Sequence, residues 1–376
     1  MKSIKYALRV VLKNKFYSLL NIFGLAIGLA VAMVILLYVQ QVSGSSLPEG
    51  LSTASLADSF VYIIIGIFIL LLACINYVNL ATARATQRSK EVGVRKVLGS
   101  TRQKLQKQFM SEAMVTAFLS LFLAVLVVNF LLQNTSINAL IGTELKLEFS
   151  DNPVLLLGSL GITATIGLLA GLYPAFYLSA ISVPRAMSGS ASIRSHGLFL
   201  RKVLVTFQFF VSTAVVIATL LMSDQVALIQ RQAATGSSSQ AINIQEQSML
   251  MGILSYICLL ISCLGLIGLS SFTTATRIKE IGLRKVLGAT VSQLVFMIFK
   301  DIMVLISIGF VVATPVAYLA MQDWLQLFER QVPLQTFIIA AAAIAGIISL
   351  AVAFFTVSFH SLKATRQNPV KALRYE

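Results

Sequence analysis

Apolar residues in this chain fall in blocks of twenty or more, separated by short stretches that hold nearly all of the charge. At 1.5 Å rise per residue, a helix of about twenty residues crosses a hydrocarbon core of about 30 Å. The pattern predicts spans at Tyr17–Val39, Phe60–Ala83, Ala113–Leu132, Pro153–Ile181, Val203–Met222, Met249–Phe272, Met297–Met321 and Phe337–Phe359. Backbone in hydrocarbon has to satisfy its own hydrogen bonds, so each block is predicted as a helix. The fold class is an all-α membrane protein with about eight transmembrane helices.

The polar stretches carry a repeat. Arg88-Ser-Lys-Glu-Val-Gly-Val-Arg-Lys-Val-Leu-Gly99 returns as Arg277-Ile-Lys-Glu-Ile-Gly-Leu-Arg-Lys-Val-Leu-Gly288, with nine of twelve positions identical and two aliphatic swaps among the rest. Cys74 matches Cys263, Thr101 matches Thr290 and Glu112 matches Asp301 in the same register. A looser echo joins Pro184–Met187 to Pro369–Leu373. Four spans separate the copies, so both face the same way: a tandem parallel repeat of a four-helix unit about a pseudo-twofold axis along the membrane normal. The first unit is read as residues 1–190 with an inside helix at 88–99, the second as 191–376 with an inside helix at 277–288.

Composition agrees with the span pattern. Only 11% of residues are charged, against about a quarter in a soluble domain. A net charge of +15 raises nucleic acid as a partner, but the distribution argues against it. With the N-terminus inside, the outside segments hold only Lys146, Arg231 and Arg330, which leaves 29 − 3 = 26 Lys and Arg inside. That asymmetry sets topology and places both termini in the cytoplasm. The basic excess then meets anionic lipid headgroups. The basic start, Met1–Lys15, precedes a run too long for a signal peptide and without a clear small-residue cleavage site, so an uncleaved first span is expected. Cys74, Cys258 and Cys263 all fall within spans and read as packing residues, with no metal site. His196 and His360 lie far apart and are assigned no chemistry.

Read as helices, the repeated segments have defined faces. Glu91 with Arg95, and Glu280 with Arg284, are spaced i, i+4 in the favourable order. Val94, Val97 and Leu98 form an apolar face, matched by Leu283, Val286 and Leu287. Arg88, Lys90, Arg95 and Lys96 supply a basic side, with Arg277, Lys279, Arg284 and Lys285 in the second copy. Gly99 and Gly288 sit where the pattern stops, suiting a left-handed C-terminal residue. Gly93 and Gly282 cost about 1 kcal/mol each inside a helix, which points to close approach by another backbone. Lipid binding needs basic residues but not this order of acid and glycine, so a shaped protein contact is favoured over headgroup contact alone. Within the spans, Gly24 and Gly28, and Gly167 and Gly171, have the spacing of close helix packing. Pro174 and Pro315 are candidate kinks, and Asn21, Asn76, Asn79 and Asn129 are candidates for bonds between helices. Ionisable groups are nearly absent from span centres, which argues against a proton-coupled carrier. No nucleophile elbow, zinc-protease motif or acid–base constellation occurs, so no catalytic residue is assigned.

The Lys-Glu-Val-Gly-Val-Arg-Lys-Val-Leu-Gly motif (Lys90–Gly99, Lys279–Gly288), the span plan and the ending Asn368-Pro-Val-Lys-Ala-Leu-Arg374 resemble the FtsX/MacB-like permeases of ABC transporters. The resemblance implies that the two inside helices dock on ATPase subunits. Carried onto this chain, the docking residues are Arg88, Glu91, Gly93, Arg95, Lys96, Leu98 and Gly99, with Arg277, Glu280, Gly282, Arg284, Lys285, Leu287 and Gly288. It further implies a bacterial cytoplasmic-membrane location and a mechanotransmission mechanism, in which closure of the ATPases moves the four-helix units and substrate is extruded or extracted outside. No G-x-x-x-x-G-K-[ST] loop occurs in the sequence. ATP and Mg are therefore expected on a separate partner, in two copies, with no cofactor on this chain. Family members usually carry a large domain between the first two spans of a unit. Here those slots hold about twenty residues, with Gly/Ser-rich linker-like segments at 42–56 and 232–242. The expectation is that external domains have been replaced by linkers, the alternative being a naturally minimal permease with plain polar loops; either way any outside partner and the substrate stay unnamed. A scaffold that uses an ATPase to regulate an external partner, such as a cell-wall hydrolase, is the alternative. An ATP-independent channel is the third.

Overall fold

The computed structural model describes residues 9, 15–44, 53–135, 138, 145–147, 149, 152–183, 191–233, 240–326, 328 and 331–365. In chain order the helices are α1 (Lys15–Gly44), α2 (Thr53–Val97), α3 (Arg102–Asn134), α4 (Pro153–Ala180), α5 (Ala191–Ala233), α6 (Gln240–Thr276), α7 (Ile278–Val286), α8 (Val291–Leu325) and α9 (Leu334–Thr365). All but α7 contain a stretch long and apolar enough to cross a membrane, giving eight candidate spans, and no strand occurs among the described residues. Each predicted span falls on one of these helices. The echo at Pro184–Met187, the ending at 368–374 and the centres of both linker-like segments lie outside the described residues. Contacts divide the chain into two compact units, Met1–Gly197 and Leu198–Glu376.

In the first unit α1 packs on α2, α3 and α4, and α3 lies along α4. Small residues bring these helices close. A Cβ added at Gly28 would sit 2.8 Å from the Ala73 Cβ of α2. On α4, one at Gly167 would meet the Met114 Sδ of α3 at 2.7 Å, and one at Gly171 the Ala113 Cβ at 2.7 Å. Gly24 is buried one turn before Gly28. Gly171→Val is expected to cost about 1–3 kcal/mol through overpacking, read as a lower Tm in detergent; an unchanged Tm would count against this close approach. α4 starts on Pro153 at its first position, with the Asn152 side chain accepting from the Leu155 N–H at 3.0 Å. Asn152 Nδ2 also donates to Gln40 Oε1 at 2.6 Å, tying this end of α4 to α1.

The second unit joins its helices with more polar contacts. Gln208 Nε2 of α5 donates to the Ile261 carbonyl of α6 at 2.9 Å, and Ser212 and Ser262 share a hydroxyl bond of 2.6 Å. The Val332 N–H donates to Gln225 at 2.9 Å. A Cβ at Gly309 of α8 would lie 2.9 Å from the Thr206 carbonyl and 3.0 Å from the Phe210 nitrogen, so here backbone meets backbone. Such bonds hold helices together where apolar side chains gain little by leaving lipid. The candidate asparagines do not play this part. Asn129 accepts from Gln133 within α3, and the buried amides of Asn76 and Asn79 have no partner among the described residues. Pro174 and Pro315 both lie inside continuous helices.

One expectation about the inside segments needs correction. In the first unit, 88–97 is not a separate helix: α2 runs unbroken from the second span through Val97. In the second unit the chain breaks at Arg277, whose N–H is shared between the Thr273 and Thr274 carbonyls at 3.2 Å each, and α7 begins one residue later. Near-identical sequences thus give a rigid extension in one unit and a jointed one in the other.

Candidate functional site

The two repeated segments are each anchored by one aliphatic residue. Val92 is 3% exposed and packs with Leu105 and Phe109 of α3, Ala175 and Leu178 of α4, and Ile181. Its counterpart Ile281 is 4% exposed and joins Leu294 and Ile298 of α8, Leu266 and Leu269 of α6, and Ala353 and Val357 of α9. Gly93 and Gly282 are buried beside these anchors. Each segment is therefore packed against the helices of its own unit through this anchor.

The ends of the segments are built alike. Gly99 has φ +88° and Gly288 φ +92°, the left-handed region. The Ser100 N–H donates to the Arg95 carbonyl at 2.9 Å and the Gly99 N–H to the Lys96 carbonyl at 3.0 Å. In the second copy, Ala289 donates to Arg284 at 2.9 Å and Gly288 to Lys285 at 3.1 Å. This paired bonding satisfies the last helical carbonyls and turns the chain sharply. The next helix then starts at once. The Thr101 side chain accepts from the Lys104 N–H, and the Thr290 side chain from the Gln293 N–H, both at 3.3 Å; Gln293 returns a bond to complete a capping box. Nothing lies within 4 Å of a Cβ added at either glycine, so the need is conformational. Gly99→Ala and Gly288→Ala are each expected to cost about 1–2 kcal/mol, detectable as a lower Tm; no loss at either position would refute the left-handed turn.

Charged side chains tie each segment to the third span of its unit. Arg95 Nη2 pairs with Glu91 at 2.5 Å, while its Nη1 donates to Gln108 of α3 at 2.8 Å. Gln108 passes the chain on to buried Glu112 at 3.1 Å. In the second unit Arg284 pairs with Glu280 at 2.8 Å and lies against the sulfur of Met297, which stands in the place of Gln108. There Arg277 pairs with Asp301 at 2.8 Å. The motif thus reaches the matched acid directly in the second unit, where Arg277 meets Asp301, and only by way of Gln108 of α3 in the first. The side chains of Arg88, Lys90 and Lys279 lie outside the described residues. Lys285 is half-buried.

Lys96 departs from the basic face expected of it. Its ammonium donates to the Ser179 carbonyl at 2.7 Å and the Ile181 carbonyl at 2.6 Å, at the carboxyl end of α4. Free carbonyls and the negative end of the helix dipole make that a natural cation site. Partial burial, and then the neighbouring Arg102, hold the Lys96 pKa below the usual lysine value. Lys96 is thus a tie between the motif and the fourth span. Helical periodicity within 88–99 could not reveal this, because the acceptors lie more than eighty residues away.

An apolar ridge is left exposed in both copies. Val94, Val97 and Leu98 are 47%, 67% and 80% exposed, and Leu283, Val286 and Leu287 are 54%, 62% and 77% exposed. Each copy presents this ridge beside an exposed Glu–Arg pair. The sequence pattern of the family described as FtsX-like permease C-terminal matches residues 63–183 and again 252–369, more than half of the chain. The chain belongs to the FtsX-like permease family. Each match begins in the second span of a unit and contains one copy of the motif, so the repeat is a family unit used twice. A stretch of 128 residues is 26% identical to the macrolide export ATP-binding/permease protein MacB of Syntrophobacter fumaroxidans (strain DSM 10017 / MPOB). It covers 34% of this FtsX-like permease and 17% of that relative's length. No solved structure matches.

Proposed function

We propose that this chain is the transmembrane subunit of an ABC transporter of the mechanotransmission type, driven by two copies of a separate P-loop ATPase. The observation that carries the reading is the twice-built ridge: Val94, Val97 and Leu98, and Leu283, Val286 and Leu287, exposed beside Glu91–Arg95 and Glu280–Arg284. Burial of such a ridge against a protein is favourable at about 25 cal/mol per Å², and the charged pair next to it sets register. Two equivalent ridges suit two equivalent partners. The basic excess between the spans supports cytoplasmic termini in this reading, and the permease family supports a bacterial cytoplasmic membrane as the location.

In this reading ATP and Mg are held by the partner, whose dimer closes on hydrolysis-linked cycling. Movement enters at the two motifs. It reaches the third and fourth spans through Arg95–Gln108 and Lys96–Ser179 in the first unit, and through Arg277–Asp301 in the second. The work done is export or extraction of a substrate on the outer side.

Affinity purification from native membranes in mild detergent, followed by mass spectrometry, tests the proposal. The expected result is a P-loop ATPase at about two copies per chain. Replacing Glu91 and Glu280 together by alanine, which leaves Arg95 on Gln108, is expected to weaken this capture by roughly tenfold while the protein stays monodisperse, because exposed pairs contribute little to folding, about 0–1 kcal/mol each. Recovery of a folded, monodisperse protein with no ATPase would overturn the reading in favour of an ATP-independent scaffold.

A further inference from the structure

The first two turns of α3 carry three exposed basic residues, with Lys104 and Lys107 on one face and Arg102 on the opposite side near Lys96. A helix start disfavours cations, since its free N–H groups already carry positive charge. None of the ion pairs among the described residues uses these three. The matched positions at the start of α8 are Val291, Gln293 and Phe296. The basic start is therefore a property of the first unit that the second copy of the repeat does not share.

Directly beyond the cluster lies an open groove of about 660 Å³, lined among the described residues by Lys107 and Ser111 and by the apolar Met110, Met114, Val115 and Phe118. Its size falls within the roughly 300–1,000 Å³ typical of small-molecule sites. Methionines give such a wall an adaptable surface. The groove leads into an exposed apolar stripe at Phe118, Phe122, Leu126 and Phe130, one residue per turn along the same span. Cationic heads at the membrane edge, followed by an apolar track running toward the bilayer centre, have the order of parts found in a phospholipid.

We infer that the first unit holds one anionic phospholipid, its phosphate over Lys104 and Lys107 and one acyl chain in the groove along Met110, Met114 and Phe118. A soluble partner reaches the two lysines but not Phe118, which lies within the span, and this favours lipid over protein as the occupant. The site is separate from the ridges proposed for ATPase docking, so either assignment can fail without the other.

Native mass spectrometry of the detergent-solubilised full chain, titrated with phosphatidylglycerol and with phosphatidylcholine of the same acyl chains, tests this. The wild-type protein is expected to retain one phosphatidylglycerol in clear preference to phosphatidylcholine. The K104Q/K107Q variant is expected to lose roughly thirtyfold in that affinity, from the attraction of two basic groups. Val115→Trp, which fills the groove and keeps the charge, is expected to lower retention of both lipids. Equal retention of the two headgroups by the wild type would overturn the inference without any variant. So would unchanged phosphatidylglycerol binding in the double variant. Loss of ATPase capture with lipid retention intact would reassign the cluster to the protein partner.

Discussion

A chain carrying Leu98→Glu and Leu287→Glu together should fold, insert and purify as the wild type does, yet bring down no ATPase. These leucines are 80% and 77% exposed and are the outermost points of the two ridges. Exposed side chains contribute little to the folded unit, and substitutions at such positions usually stay within about 0.5 kcal/mol. At a docked interface the balance reverses. A leucine buried against a partner contributes about 1.5–3 kcal/mol, and a glutamate in its place adds the cost of an unpaired charge in a desolvated contact. The loss per site is then at least about hundredfold in affinity. With both sites changed, no intact contact is left for avidity to rescue. Capture by mass spectrometry, with size-exclusion behaviour as the control, checks it. Each single variant should retain partial capture, because one ridge survives. If the double variant captured ATPase at wild-type strength, the ridges would be lipid-facing surfaces and the docking site would lie elsewhere.

The spans and the repeat were legible in the sequence because their signals are one-dimensional. Hydrocarbon thickness fixes a length, and twelve residues repeated in register need no tertiary knowledge. The glycine ends were legible for the same reason, since a helix stop at Gly99 and Gly288 is a local matter of φ. The anchors were not legible. Val92 and Ile281 look no more apolar than Val94 and Leu283, yet the first pair is buried and the second exposed. Which stripe of a short amphipathic segment turns inward depends on where α3 and α4 lie, and periodicity within the segment cannot supply that. Asn76 and Asn79 show the converse limit. Their position between helices was readable, but their amides meet no protein partner, while Gln208, Gln225 and Asn152 make the long-range bonds. Amide reach and local helix spacing decide which polar group pairs, and neither is written in composition.

The break at Arg277 has the same lesson on the scale of an element. The motif is nearly identical in both copies, and its flanks decide the outcome. In the first copy α2 continues as one helix; in the second, Arg277 departs from helical φ and ψ, shares its N–H between two carbonyls, and pairs its side chain with Asp301. The two copies thus differ in backbone and in their tie to the third span even though their exposed ridges match.

Lys96→Met should separate docking from coupling. The substitution keeps the length and apolar stem of the side chain but removes the ammonium that bonds the Ser179 and Ile181 carbonyls. Charge-assisted bonds contribute about 1.5–3 kcal/mol each, so the first unit should lose roughly 2–4 kcal/mol, seen as a lower Tm. The exposed ridge at Val94, Val97 and Leu98 is untouched, held in place by Val92 and by Arg95 with Gln108. ATPase capture should therefore persist near the wild-type level. What should fall is the response of the fourth span. A spin-label pair reporting the distance from the segment to the end of α4, measured with and without ATP, should show the two ends moving independently in the variant and together in the wild type. Lys96→Arg, which restores a cation of similar reach, should recover much of both stability and coupled motion. If Lys96→Met lost ATPase capture while remaining folded, the lysine would belong to the docking face after all. If it lost neither stability nor coupled motion, the tie to α4 would carry no force, and transmission would have to run through Arg95 and Gln108 alone.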